Sequence, residues 1–207
     1  MGGTRSIQFR HRVNNGLLAL AFVLIIATSM VSVWSTNALG DSIDKVTRTN
    51  QVRDLIVRMT TALGGVESGG LRYMISGRSE YLMQHRQSLA EMDRLNVQLA
   101  AMTTDNPLQR QNLSEFIGRY DVLVERSRES LAMKRKAMED GDEGTPLRRL
   151  RDGIGASIVQ EMQVMLEKMT AEEDRLMAAR ANERDALVKQ TNATVLIATG
   201  LALRSFE

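Results

Sequence analysis

The stretch VESGGLRYMISGRSEYL, residues 66–82, decides how the chain folds, because a helical pattern enters it and then stops. Glycine adopts left-handed backbone angles at little cost, so Gly77 is predicted to end the first helix. Ser79 follows two residues later and has a side chain suited to an N-cap, so it is predicted to start the second helix. The stretch therefore predicts two helices joined by a sharp turn.

Paired glycines interrupt the helical part of this stretch. Gly69 and Gly70 each cost about 1 kcal/mol relative to alanine in a helix, so the chain needs a reason to keep them. One reason is a close approach of another helix, which we favour; the other is a weak point that bends when a signal arrives. Gly64 and Gly65 extend the small-residue patch, which also suits a contact between two copies of the chain.

Outward from this stretch, apolar residues recur every three or four positions between residues 37 and 192. This spacing is typical of amphipathic helices with one buried face. The predicted buried positions are Leu39, Ile43, Val46, Leu55, Met59, Ala62 and Val66; Leu82, His85, Leu89, Met92, Leu95, Leu99 and Met102; Leu108, Leu113, Phe116, Ile117, Tyr120, Leu123, Val124 and Leu131; and Ile154, Ile158, Met162, Met165, Met169, Leu176 and Leu187.

Helix breakers separate these four sets. TTDNPLQ, residues 103–109, offers a capping residue followed by Pro107 in a first helical turn. EDGDEGTPLRR, residues 139–149, is a polar loop with Thr145 as the predicted cap and Pro146 at the next helix start. Four helices with short connections predict an all-α fold, an up-down four-helix bundle over residues 37–192, flanked by transmembrane helices.

The first of these flanking segments covers residues 16–36, which contain no ionisable side chain. Its apolar centre is long enough to cross a bilayer, and Trp34 lies where an interfacial aromatic residue would. Arginines in residues 1–15 predict a cytoplasmic N-terminus. A cleaved signal peptide is the alternative, but the apolar run is longer than such peptides usually have.

A second apolar run begins at residue 193 and ends in RSFE. Its eleven residues from Ala193 to Leu203 would span only about 17 Å as a helix, so residues 193–207 are interpreted as the start of a truncated second transmembrane helix. A short interfacial helix is the alternative. Two such segments predict a bundle outside the cytoplasm, in the periplasm of a bacterium and anchored in the inner membrane.

Composition excludes several classes of function. The chain has no cysteine, which excludes disulfides, thiolate catalysis and zinc–thiolate sites. Its net charge of +2 gives no reason to expect a nucleic-acid partner. Because the sequence has no phosphate-binding glycine loop, no metalloprotease motif and no dinucleotide fingerprint, we expect no enzymatic activity and no cofactor.

Two groups of residues admit a metal-binding interpretation beside a packing one. His85 lies on the apolar stripe of the second helix, and Met162, Met165 and Met169 lie on that of the fourth. Methionines at this spacing usually fill a core, and a single histidine there is usually packed. We therefore expect packing and no metal.

Charged runs near the end of the chain are predicted to be solvated. RRLRDG, residues 148–153, reads as a basic loop, and residues 171–189 carry charges of both signs. Oppositely charged residues four positions apart are typical of an exposed helix. Glu172 and Glu173 are therefore expected on an exposed surface.

The stretch ESGGLRYMISGRSEYL resembles the signature of the CHASE3 domain, an extracytoplasmic sensory module. The matching positions are Glu67, Ser68, Gly69, Tyr73, Met74, Ile75, Ser76, Gly77, Tyr81 and Leu82. Further matches are Thr104, Asp105, Asn106, Pro107 and Gln109 before the third helix, and Glu173, Leu176 and Arg180 in the last one. The arginine that the family places before the tyrosine is shifted by one position, to Arg72, which turns it by about 100° around the helix.

The resemblance implies a module between two membrane helices of a receptor whose cytoplasmic part is a histidine kinase, a cyclase or a chemotaxis transducer. We expect a sensor histidine kinase, a homodimer, and an unknown small-molecule or envelope stimulus that shifts the packing of the bundle. The alternative is a membrane-anchored structural or regulatory bundle that partners a separate receptor.

The candidate functional residues fall into two sets. Those expected in signalling or packing are Glu67, Gly69, Gly70, Tyr73, Gly77, Tyr81, Asp105, Asn106, Pro107 and Arg180. Arg72 and Tyr73 are candidates for binding an anionic or aromatic ligand at the bundle tip. A solvated arginine and a packed tyrosine are the alternative.

Overall fold

A computed structural model of the chain describes residues 3–142, 144 and 154–204. These residues form four helices: α1 (Gly3–Ser76), α2 (Ser79–Met102), α3 (Pro107–Asp140) and α4 (Ile154–Arg204). No strand occurs among them. The predicted all-α fold is confirmed.

The turn between α1 and α2 forms where the sequence predicts it. Gly77 has a φ of +67°, and its N–H donates to the carbonyl oxygen of Tyr73 at 2.8 Å, which ends α1. The prediction of Ser79 as the N-cap is wrong. Arg78 occupies that position with extended angles (φ −77°, ψ 127°), its side chain makes no capping bond, and Ser79 is already helical. One extended residue, Arg78, separates the left-handed Gly77 from the start of α2.

The next two helix ends follow their capping residues. The side chain of Asn106 accepts hydrogen bonds from the N–H groups of Leu108 and Gln109, both at 3.1 Å, and Pro107 is the first residue of α3. Gly141 ends α3 in the left-handed conformation, with a φ of +71°. The predicted cap Thr145, the start at Pro146 and the basic run at 148–153 lie outside the described residues.

The chain divides into two compact units, of which one, Thr47–Leu176, contains the core. All four helices contribute buried side chains to it. The core residues are Val52, Leu55, Ile56, Met59, Ala62, Leu63, Val66, Met92, Leu95, Leu99, Leu113, Phe116, Tyr120, Leu123, Ile158, Val159, Met162, Leu166 and Met169. Met162 and Met169 are buried and Met165 packs against the core, so the methionines lie in the core, as predicted.

Contacts between helices give the predicted antiparallel order within this unit. Arg58 of α1 pairs with Glu91 of α2, and Arg119 of α3 pairs with Glu161 of α4 at 3.1 Å. The Tyr120 hydroxyl of α3 donates to the α2 carboxylate of Asp93 at 2.8 Å. Second contacts between the same helices, Val66–His85, His85–Ser127 and Gln109–Glu173, lie further along one helix and further back along the other. Neighbouring helices therefore run up and down in turn.

Two positions predicted to be buried are exposed. Ile43 is 56% exposed because it precedes the core-forming unit, and Leu108 is 48% exposed because it lies in the first turn of α3. The predicted stripe also missed Ile56, Leu63 and Leu166, which widen the buried faces of α1 and α4. The side chains of Leu39 and Ile154 lie outside the described residues.

The second unit consists of Met1–Val46 and Met177–Glu207. In it, Nη1 of Arg180 donates to the carbonyl oxygen of Lys45 at 2.6 Å. Among the residues that the structure describes, no helix combines the length and hydropathy that a membrane crossing requires. Many side chains of the predicted membrane segments, residues 16–36 and 193–207, lie outside the described residues, and both segments stay predictions.

Candidate functional site

Two glycines of α1 let α2 approach closely. A Cβ atom on Gly69 would lie 2.9 Å from the backbone nitrogen of His85 and 3.1 Å from the carbonyl oxygen of Tyr81. A Cβ atom on Gly65 would overlap the Oγ atom of Ser88, whereas one on Gly64 would meet nothing within 4 Å. Gly65 and Gly69 are four residues apart, so they lie on one face of α1. The close-packing interpretation of Gly69 is therefore confirmed.

His85 lies at this crossing and is buried, with 2% of its surface exposed. Its Nδ1 atom is 2.7 Å from the carbonyl oxygen of Val66, and its Nε2 atom is 2.7 Å from Oγ of Ser127. Because a carbonyl oxygen only accepts, Nδ1 carries the proton of the neutral ring and Ser127 donates to Nε2. A Cβ atom on Gly70 would lie 3.2 Å from Nδ1, so this glycine makes room for the ring.

The protonation state of this histidine follows from its surroundings. Burial lowers the pKa of His85 below 6.5, against the opposing effect of the Val66 hydrogen bond, and Arg86 lowers the pKa further. The neutral ring therefore bridges α1 to α3 through both nitrogens. The predicted packed histidine is confirmed.

A cavity of about 230 Å³ lies beside this histidine. Its walls are mostly apolar and come from all four helices of the unit. They consist of Val66, Glu67, Gly70, Leu71, Met74, His85, Leu123, Arg126, Ser127, Ser130, Leu131, Gly155, Ala156 and Val159. A mostly apolar cavity with a few polar groups is the usual form of a small-molecule site.

The polar groups of the cavity on α3 have defined partners. Nη1 of Arg126 lies 3.3 Å from a carboxylate oxygen of Glu129. Oγ of Ser130 donates to the carbonyl oxygen of Arg126 at 2.9 Å. The hydroxyl hydrogens of Ser130 and Ser127 are therefore both used inside the protein, and each oxygen keeps lone pairs that can accept.

The two residues predicted to bind a ligand at the bundle tip face different directions. Arg72 is exposed, with its Cζ atom 5.6 Å from the ring centre of Tyr81, and Arg78 lies at 5.9 Å from the same ring. Tyr73 is buried, at 4% exposure. Neither Arg72 nor Tyr73 lines the cavity. Successive helix residues point about 100° apart, which separates this pair.

A polar cluster lies at the opposite end of the core, around the α2–α3 turn. Nε and Nη2 of Arg48 donate to the carbonyl oxygen of Met102 at 3.0 and 2.9 Å. Nη2 also pairs with Asp105 at 3.1 Å. The last carbonyl groups of a helix have no partner within that helix, and Arg48 binds one of them at the end of α2.

Helix α4 joins the same cluster through two carboxylates. Nδ2 of Asn106 donates to Glu172 at 3.4 Å, and Nε2 of Gln109 donates to Glu173 and to the carbonyl oxygen of Met169, both at 2.8 Å. The hydrogen bonds from Arg175 are the main reason why the pKa of Glu172 lies below 4.5. The α2–α3 turn is therefore bound to α1 on one side and to α4 on the other.

The expectation of an exposed Glu172 and Glu173 is wrong, since they are only 7% and 3% exposed. Glu172 and Glu173 lie three and four residues after the buried Met169, so they continue the buried face of α4. This spacing in the sequence could have predicted their burial. Sequence reasoning also missed Arg48, whose contacts join distant parts of the chain.

The motif residues therefore lie at two ends of the core. Glu67, the paired glycines, Gly77 and Tyr81 lie near the α1–α2 turn and the cavity, whereas Asp105, Asn106 and Pro107 form the α2–α3 turn. Arg180 lies in the other unit, bound to Lys45. Each of the first two sets lies at its own turn.

Comparison with known proteins identifies a family for this chain. Searches of curated proteins and of solved structures each returned no significant match. A family model described as CHASE3 domain matches residues 42–183, which include both turns, the cavity and the polar cluster. The match covers more than half of the chain, and the chain therefore belongs to the CHASE3 family of extracytoplasmic sensory domains.

Proposed function

We propose that the chain is the sensory input region of a transmembrane receptor, and that the output of the receptor is a histidine kinase. The observation that carries this proposal is the family match over residues 42–183, which lies between the apolar segments 16–36 and 193–207. CHASE3 domains are sensory domains of receptors, and a domain between two apolar segments suits a signal that crosses a membrane.

The proposed topology anchors the chain in a bacterial inner membrane. Residues 1–15 carry Arg5, Arg10 and Arg12 and lie in the cytoplasm, in accord with the positive-inside rule. Residues 16–36 cross the membrane, and the core-forming unit lies in the periplasm. Residues 193–207 begin the return crossing.

The polar cluster supports a route for the signal. Arg48 of α1 and Glu172 of α4 both bind the α2–α3 turn, through Asp105 and Asn106. Helix α1 includes the apolar segment 16–36, and α4 continues into the apolar segment 193–207. A change in packing that moves this turn therefore acts on both helices, and small helix shifts are a common form of signal transfer.

We also propose that the receptor works as a homodimer. The homodimer follows from the proposed receptor role, because pairing two chains allows the helix bundle of one to shift against that of the other. Gly65 and Gly69 are used within the chain, so the surface between two copies lies elsewhere.

Cysteine accessibility tests this topology, and the chain has no native cysteine to interfere. Ser79→Cys places a thiol on the exposed α1–α2 turn, and Thr4→Cys places one in the N-terminal segment. In intact spheroplasts, a membrane-impermeant maleimide should label the Ser79→Cys variant at once and the Thr4→Cys variant only after lysis. Labelling of both variants only after lysis, or the reverse pattern, would exclude a periplasmic sensor.

A further inference from the structure

We propose that the cavity beside His85 binds a small amphipathic amine, with an apolar body the size of one ring and a protonated amino head. Only the role of this molecule as the stimulus rests on the proposed sensory function. The binding itself is a property of the core-forming unit, to which all lining residues belong.

The size and lining of the cavity set the apolar part of the ligand. An apolar cavity of about 150 Å³ is enough to hold benzene, and this one has about 230 Å³. Val66, Leu71 and Met74 of α1 line it together with Leu123 and Leu131 of α3. The space therefore suits a single ring with a short chain.

The hydrogen bonds of α3 set the head group. Ser127 donates its hydrogen to Nε2 of His85, and Ser130 donates its hydrogen to the carbonyl oxygen of Arg126. Both hydroxyls line the cavity and offer it only acceptor lone pairs. A ligand that satisfies them must donate hydrogen bonds.

The charges around the cavity favour a cation. Glu67 lines the cavity and is exposed, and it forms no ion pair within the described residues. Among the described residues that line the cavity, Arg126 carries the opposite charge, and its guanidinium is paired with Glu129. An ammonium head finds the Glu67 carboxylate and two hydroxyl oxygens here, whereas a carboxylate head would compete with Glu129 for Arg126.

Such a ligand would join α1 to α3 next to the His85 bridge. Glu67 and Gly70 belong to α1, and Ser127 and Ser130 belong to α3. A molecule that contacts both helices binds best to the packing in which their spacing matches its own size. Binding therefore shifts the population toward that packing.

Calorimetric titration of the full chain in dodecyl maltoside tests the proposal with three probes of similar shape. Phenethylamine has the proposed head, 3-phenylpropionate carries the opposite charge, and propylbenzene has no head group. We expect one saturable site with phenethylamine bound at least about tenfold more tightly than the other two. Tighter binding of 3-phenylpropionate, or no saturable binding of any probe, would overturn the proposal.

Three variants locate the site. Ala156→Leu fills part of the cavity and should reduce phenethylamine affinity about tenfold or more. Glu67→Gln should reduce it about threefold to tenfold, with propylbenzene unaffected. Glu115→Gln removes the same charge from an exposed position of α3 that does not line the cavity, and it should change nothing. Unchanged affinity in both Ala156→Leu and Glu67→Gln would place the amine elsewhere and refute the assignment.

The two proposals fail separately. A chain with the periplasmic topology that binds no amine loses its assigned ligand class and keeps its sensory role. A chain that binds the amine in this cavity but has the opposite topology keeps its ligand and loses the role of periplasmic sensor.

Discussion

The Nδ1 atom of His85 lies 2.7 Å from the carbonyl oxygen of Val66, so a hydrogen bond joins α2 to α1 inside the core. This bond lies one turn from Gly69, where the absence of a side chain lets the two helices approach. The other ring nitrogen accepts from Ser127 of α3. One neutral imidazole therefore holds three helices at the wall of the cavity.

We expect the stability of the chain to fall as the pH drops below 6.5 because of His85. The pKa of this ring is lowered in the folded protein, so below 6.5 the unfolded chain binds a proton that the folded chain does not. Between pH 7.5 and 5.5 the free energy of unfolding should decrease through this group, by at most about 1.4 kcal/mol. Urea titrations followed by circular dichroism at the two pH values measure it.

The His85→Asn variant is the control for this pH dependence, since its side chain does not titrate. It should be less stable at every pH and should lack the decrease between pH 7.5 and 5.5. Glu172 affects stability in a separate pH range. Because its pKa is lowered in the folded protein, its carboxylate stabilises the fold above pH 4.5, and this contribution is lost only as the pH falls further. Equal pH dependence of wild type and His85→Asn between 7.5 and 5.5 would contradict the assignment.

Gly69→Ala and Gly64→Ala should change stability in opposite directions. A methyl group on Gly69 meets the backbone of His85 at 2.9 Å, so Gly69→Ala should cost about 1–3 kcal/mol. A methyl group on Gly64 meets open space, so Gly64→Ala should stabilise by up to about 1 kcal/mol through helix propensity. Thermal melts compare the two, and a stabilised Gly69→Ala variant would show that α1 and α2 are not closely packed there.

Asn106→Ala and Ser79→Ala distinguish the real cap from the predicted one. Asn106 accepts two backbone hydrogen bonds at the start of α3, so its replacement should cost about 1 kcal/mol. Ser79 makes no capping bond at the start of α2, so its replacement should leave stability nearly unchanged. Unfolding free energies from urea titration decide this, and an equal loss in both variants would restore Ser79 as a cap.

Arg48→Ala should destabilise the α2–α3 turn, because it removes two hydrogen bonds to Met102 and the pair with Asp105. We expect a loss of about 1–2 kcal/mol. Arg53→Ala is the matched control, since it removes only an exposed pair with Asp174 and should cost less than about 0.5 kcal/mol. Hydrogen exchange of residues 99–109 locates the effect; equal exchange in the two variants would mean that Arg48 does not hold this turn.

Local rules predicted most of the fold, because its turns depend on single residues. Gly77 and the Asn106–Pro107 pair end and start helices through their own backbone and side-chain preferences. The apolar spacing placed Met92, Phe116 and similar residues in the core. The predicted N-cap of α2 was wrong by one position, because a single extended residue, Arg78, separates the left-handed Gly77 from α2.

The site was less predictable because its contacts join distant residues. His85 meets Val66 and Ser127, which are 19 and 42 positions away, and no periodicity encodes such a contact. Glu173 was read as exposed because of its charge, although it follows the buried Met169 by four residues. Its burial depends on Gln109, which provides a hydrogen-bond donor from another helix.

The size of the native polypeptide tests the central claim, that this chain is the input region of a receptor. An antibody raised against residues 47–176 should be used on native membranes after denaturing electrophoresis. We predict a band well above the 23.1 kDa of the present sequence, because a receptor also needs a cytoplasmic output domain. A single band near 23.1 kDa would contradict a receptor with its own output and leave a membrane-anchored bundle that acts through a partner.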